Sequence, residues 1–111
     1  MMIRQGDVLL VPAGEVSPDG WSPLEPEGAR WVLAHGELSG HAHAIAEADA
    51  TLWERAGTPA RLLVVTRSTK LEHEEHAAVR LATGAYYVHL QRAYVPSDEP
   101  RRSPGSVPVG D

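Results

Sequence analysis

Apolar residues in this chain come in short runs cut apart by glycine, proline and polar clusters, with almost no stretch that keeps a helical period. Asp7 to Pro12 (Asp-Val-Leu-Leu-Val-Pro) is an apolar run bounded by Gly6 and Pro12, the signature of a short buried strand. Arg30 to His35 alternates, with Trp31, Leu33 and His35 against Val32 and Ala34. Ala42 to Ile45, Ala50 to Arg55 and Arg61 to Thr66 extend the series, the last apolar on both faces. Ala77 to Ala82 sets Ala77, Val79 and Leu81 against Arg80, and Ala85 to Val95 sets Tyr86, Val88, Leu90 and Tyr94 against Tyr87, His89 and Gln91. Helical spacing of Leu71, Ala78, Val79 and Ala82 competes with alternation over residues 71–82.

Between these runs lie turn residues. Residues 13–28 are rich in Pro, Gly, Ser and Glu and read as a loop, with a turn at Pro18-Asp19-Gly20 and Trp21 anchoring it to the core. From residue 96 onward the composition cannot supply a core, so 96–111 is expected to be a loosely ordered Pro-rich tail. The pattern predicts six to eight strands in one all-β domain over residues 1–95, a small β-barrel or sandwich.

Composition narrows the possibilities. At 111 residues one domain is expected, large enough to bury roughly two thirds of its unfolded surface. The absence of cysteine removes disulfides, thiolate metal sites and cysteine nucleophiles. A net charge of −5, with Arg101-Arg102 the longest basic run, argues against a nucleic-acid surface. No apolar run approaches the ~20 residues of a membrane span, and the polar start at Arg4-Gln5-Gly6-Asp7 does not read as a signal peptide, so the cytoplasm is the expected location.

Chemistry concentrates in two histidine segments. In Gly40-His41-Ala42-His43 the histidines are two apart, so an extended backbone would send both rings to one face, with Glu47 four positions beyond the second. His73-Glu74-Glu75-His76 brings two more imidazoles among carboxylates, in a chain with six histidines. Its spacing is one residue short of the His-Glu-X-X-His zinc-protease helix. Imidazole and carboxylate donors suit Zn, Fe, Mn, Ni or Cu, and His41, His43, Glu47, His73 and His76 are the candidate metal ligands. A solvated pair of loops is the competing reading of the same residues. His35, at a strand end, is a weaker ligand candidate.

The order Gly36, His41-X-His43, Glu47, then apolar strands and a histidine after a polar turn resembles the metal motif of the cupins. That resemblance implies a double-stranded β-helix barrel. It places His41, His43 and Glu47 as the ligands of the first motif and His73 as that of the second. The departures are specific: four residues separate Gly36 from His41 where the motif has five, and the glycine after the glutamate comes late, at Gly57. The proline, glycine and asparagine of the second motif are missing around His73, and His89, five residues after Gly84, is an alternative to it. The phrases Gly-His-Ala-His and His-Glu-Glu-His are also similar to small uncharacterised bacterial proteins.

Two classes of function follow. A metalloprotein would hold a divalent transition metal and, if catalytic, act on a small oxygen-bearing substrate with Glu74 or Glu75 moving protons. A non-enzymatic module would bind a small molecule or a partner without metal, and exposed strand edges would favour a homodimer. No serine-histidine-aspartate order or phosphate-cradling glycine loop stands out.

Overall fold

The computed structural model describes residues 2–17, 19–35 and 41–91. Ten strands follow in order: β1 (Ile3–Gln5), β2 (Val8–Pro12), β3 (Trp21–Pro23), β4 (Arg30–His35), β5 (Ala42–Ala46), β6 (Ala50–Arg55), β7 (Arg61–Val65), β8 (Thr69–Leu71), β9 (Val79–Leu81) and β10 (Gly84–Leu90). One 3₁₀ turn, Glu47–Asp49, separates β5 from β6. The domain is all-β, and no helix among the described residues is long and apolar enough to cross a membrane.

Six strands form one antiparallel sheet in the order β1-β2-β10-β7-β6-β3. Its opening hairpin is two residues long: Gln5 pairs with Val8 across Gly6-Asp7. Gly6, at φ 58, takes the first central position, where a type II′ turn needs a left-handed residue. The remaining strands pair as β4-β5 and β8-β9. A single bridge joins the pairs, Ala44 and Glu72 exchanging two N–H···O bonds of 2.9 Å.

The core lies between these two layers. Val8, Leu10, Leu52, Leu63, Val65, Tyr86 and Val88 come from the large sheet, and Trp31, Leu33, Ile45, Leu71 and Leu81 come from the small strands. Alternation does the sorting: Leu71 and Leu81 turn inward while Lys70 and Arg80, each the residue just before, stay exposed. The Trp31 indole N–H donates to the Ala50 carbonyl at 2.7 Å and fixes β4 to the start of β6. Trp21 is buried in β3, its ring under the Arg55 guanidinium at 4.5 Å and 6.5 Å from Tyr87, so it ties the long loop to the sheet.

The expected closed barrel is not formed. β1 and β3 are the two edges of the six-stranded sheet and do not pair with one another, so of the expected barrel or sandwich the closed form is absent. The helical alternative over 71–82 also gives way, because Thr69–Leu71 and Val79–Leu81 pair as strands. β10 ends at Leu90. The expected continuation of that strand to 95, Tyr94 with it, and the tail at 96–111 lie outside the described residues, as do Gly36 to Gly40.

Candidate metal centre

The bridge between Ala44 and Glu72 has one chief consequence: it lays the loop 72–78 beside the start of β5 and so brings the two histidine segments together. The His43 and His73 rings stand 4.3 Å apart by centroid, His73 and His76 4.5 Å, His41 and His73 5.6 Å, and His43 and His76 5.7 Å. His73 is the middle of the cluster. Two segments about thirty residues apart in sequence thus contribute four imidazoles to one place.

His43 is wholly buried, and its surroundings fix its chemistry. The Gln5 side-chain amide donates from Nε2 to the carbonyls of Leu71 at 2.8 Å and Ala77 at 2.9 Å. Those two bonds orient the amide, because the flipped arrangement would set its oxygen against two carbonyl oxygens. Gln5 Oε1 is therefore an acceptor, and the His43 Nδ1, 2.8 Å away, carries the hydrogen it receives. The other ring nitrogen, Nε2, faces Asp7 Oδ1 at 3.4 Å. The two atoms are close enough to share a proton or to hold a cation.

The loop supplies the rest. The Ala42 N–H donates to Glu74 Oε1 at 2.9 Å, which ties the loop to the first residue of β5. That bond, the Glu74 residue's own N–H and the nearby His41 and His73 hold the Glu74 carboxyl below its ordinary value of 4.5, against a smaller opposing effect of burial. His41, His73 and Glu74 offer donor atoms within 4.8 Å of one another. His41 Nδ1 is also 3.8 Å from Glu75 Oε2. His73 Nδ1 accepts the Glu75 N–H at 3.0 Å, while its Nε2 is buried with no hydrogen-bond partner among the described residues.

The structure therefore groups His41, His43, His73 and His76 and leaves Glu47 outside. Glu47 is exposed in the 3₁₀ turn, its carbonyl taken by the Trp31 indole at 3.2 Å. Even in a continued strand, four residues at ~3.3 Å each would carry it about 13 Å from His43. His35 is exposed and pairs with Glu27 at 3.3 Å, and His89 lies exposed on the outer face of the six-stranded sheet, between Val88 and Leu90. Two residues of the site were not among the sequence candidates: Gln5 and Asp7, both buried, on either side of Gly6. The available signal was the Gln-Gly-Asp hairpin turn itself, which as a sequence looks like any solvated turn.

Fold and site together define a small two-layer β domain with one buried histidine, His43, in a cluster of imidazoles and carboxylates. The chain belongs to the family described as a domain of unknown function (DUF8820), whose model matches residues 4–91, from β1 to the end of β10. No curated protein and no solved structure matches it.

Proposed function

We propose that the cluster binds one divalent transition metal, with His43, His73 and His41 as the imidazole donors and Asp7 or Glu74 as the carboxylate. The observation that carries this reading is the anchoring of His43. A histidine ligand commonly donates its second ring N–H to a fixed acceptor, which sets the tautomer and aims the other nitrogen. Gln5 does this for Nδ1 and leaves Nε2 turned toward Asp7. The 3.4 Å between Nε2 and Oδ1 also matches the edge of a tetrahedron whose ligands sit about 2.0–2.1 Å from zinc, roughly 3.3–3.4 Å.

The donor set, nitrogen and oxygen without sulfur, fits Zn, Fe, Mn, Ni or Cu. One adjustment is needed: a neutral His73 that accepts at Nδ1 has its hydrogen on Nε2, so binding through Nε2 requires it to release the Glu75 N–H. The cupin-like reading supports the same site by a His-X-His pair from one segment and a histidine from another, with Asp7 or Glu74 in place of Glu47. A bound ion would act as a Lewis acid toward water or a small oxygen-bearing molecule. Glu75, exposed beside His41, could hold or pass a proton at its carboxylate.

One observation favours a second reading. An imidazolium at His43 would satisfy both Gln5 Oε1 and the Asp7 carboxylate with no metal at all, making the cluster a structural core of a non-enzymatic module. Elemental analysis of untagged protein separates the two. Near one metal per chain, lost in the His41→Ala, His43→Ala double variant, is the expected result; protein that stays metal-free after incubation with each of the five ions would end the metal reading.

A further inference from the structure

On the outward side of β5, opposite the face that carries His43, runs a groove of about 490 Å³. Its lining includes residues 44–46 of β5, the cations Arg30, Lys70 and Arg80, and the acids Asp49 and Glu72. Its size falls within the range of small-molecule sites, ~300–1,000 Å³.

The register of β8 and β9 sets Lys70 directly opposite Arg80. Side chains of such a cross-strand pair share a face, and like charges placed so are destabilising. Neither has an ion-pair partner within 4.0 Å among the described residues, and neither has Arg30. Of the two acids in the lining, Asp49 is engaged elsewhere. Asp49 Oδ1 accepts from Arg67 Nε at 3.0 Å and Oδ2 from the Thr69 hydroxyl at 2.7 Å, so both carboxylate oxygens are engaged and a fourth cation is drawn to the same end. Three cations thus line the groove with two carboxylates, one of which is taken by Arg67, in a chain whose net charge is −5.

We propose that this groove binds the oxyanion group, phosphate or carboxylate, of a small ligand. Lys70 would meet it as a point charge and the two arginines as planar forks. A counter-charge supplied by the ligand accounts for a like-charged pair that costs the unliganded fold. The net negative charge disfavours a long polyanion, which would feel the whole surface, and favours a compact group that fits the groove. A smaller depression of about 160 Å³ shares Arg30 and Glu72 with the groove and reaches His73 and Glu74, so a ligand seated here extends toward the histidine cluster. The proposal stands without the metal.

Titration calorimetry of the full chain with inorganic phosphate and, separately, citrate tests it, before and after chelator treatment. Saturable binding of either anion in both states is expected, phosphate alone or citrate alone naming the group recognised. The Lys70→Gln, Arg80→Gln double variant should bind at least about tenfold more weakly, the loss of charge-assisted hydrogen bonds. Its unliganded melting temperature should be no lower than that of the parent, because the like-charged pair is gone. Lys70 is the only lysine in the sequence, so protection of its amine from acetylation by the bound anion gives an independent readout by mass spectrometry. Absence of saturable binding of both anions, binding abolished by chelator, equal affinity in the variant, or a variant that melts earlier would each overturn the proposal. So would a single-stranded oligonucleotide that binds more tightly than phosphate.

Discussion

The Gln5 side chain receives the His43 Nδ1–H on its oxygen and, through its nitrogen, holds the carbonyls of Leu71 and Ala77 on either side of the loop that carries His73 and His76. One amide group therefore sets the tautomer of the buried ring and closes the loop that packs against it. Replacing Gln5 by Ala removes three hydrogen bonds at a buried position and should cost about 2–4 kcal/mol in urea unfolding. A Gln5→Glu variant, which cannot donate to both carbonyls, should lose a comparable amount. A loss below about 0.5 kcal/mol in both would show that the loop is held by other contacts.

Metal removal should register in stability. A ligand that binds only the folded chain at a hundredfold excess over its Kd adds about 2.7 kcal/mol, a shift on the order of 10 °C for a domain of this size. Scanning calorimetry of metal-loaded protein with and without chelator makes the measurement. Superimposable melting curves would be incompatible with a site built on His43.

Acid should weaken the tie between the loop and β5. The Glu74 carboxyl is held below its ordinary 4.5, first by the Ala42 N–H and then by its own N–H and the neighbouring histidines. A depressed carboxylate contributes its stability above the unfolded value and loses it as pH falls through the folded value. The loss therefore belongs below pH 4.5, and near neutrality the contribution is complete. Glu74→Gln should flatten that part of the acid limb of a urea-midpoint curve. Identical acid limbs in parent and variant would remove Glu74 from the account.

Arg61 should matter out of proportion to its place on the sheet. The β4-β5 register shifts between Val32 and Ala34, so Leu33 has no ladder partner, and the Arg61 Nη2 donates to the Leu33 carbonyl instead. Burial lowers the Arg61 pKa from its ordinary value. Arg61→Met keeps much of the stem but leaves the bulged carbonyl unsatisfied, at a cost of about 1–3 kcal/mol in chemical unfolding. A variant as stable as the parent would mean that the carbonyl finds another donor.

The longer strands were legible because their period survives in the sequence. Val8 to Pro12, Arg30 to His35, Ala50 to Arg55 and Arg61 to Val65 carry apolar runs with clear boundaries and form β2, β4, β6 and β7. β1, β3 and β8 have three residues each and went unread, whereas the equally short β9 was legible because alternation runs on beyond it, from Ala77 to Ala82. Barrel closure is a question of register at the sheet edges, which no local pattern encodes. At the site, the rule of two residues set His41 and His43 on one face, but the meeting of residues 41–43 with 73–76 depends on long-range ties, the Ala44–Glu72 bridge, the Ala42–Glu74 bond and the Gln5 amide, that no local pattern encodes. Gln5 and Asp7 escaped for a different reason: polar residues beside a turn glycine are ordinarily solvated, and only the tertiary fold buries these two.

The acceptors of the Gln5 amide lie 66 and 72 residues further along the chain. During synthesis the first hairpin leaves the ribosome long before either carbonyl exists, and β2 also waits for β10 before it has its second neighbour. The histidine cluster therefore cannot assemble until residues 71–77 have emerged, and the nascent chain must keep the apolar strand β2 from other partners until β10 follows.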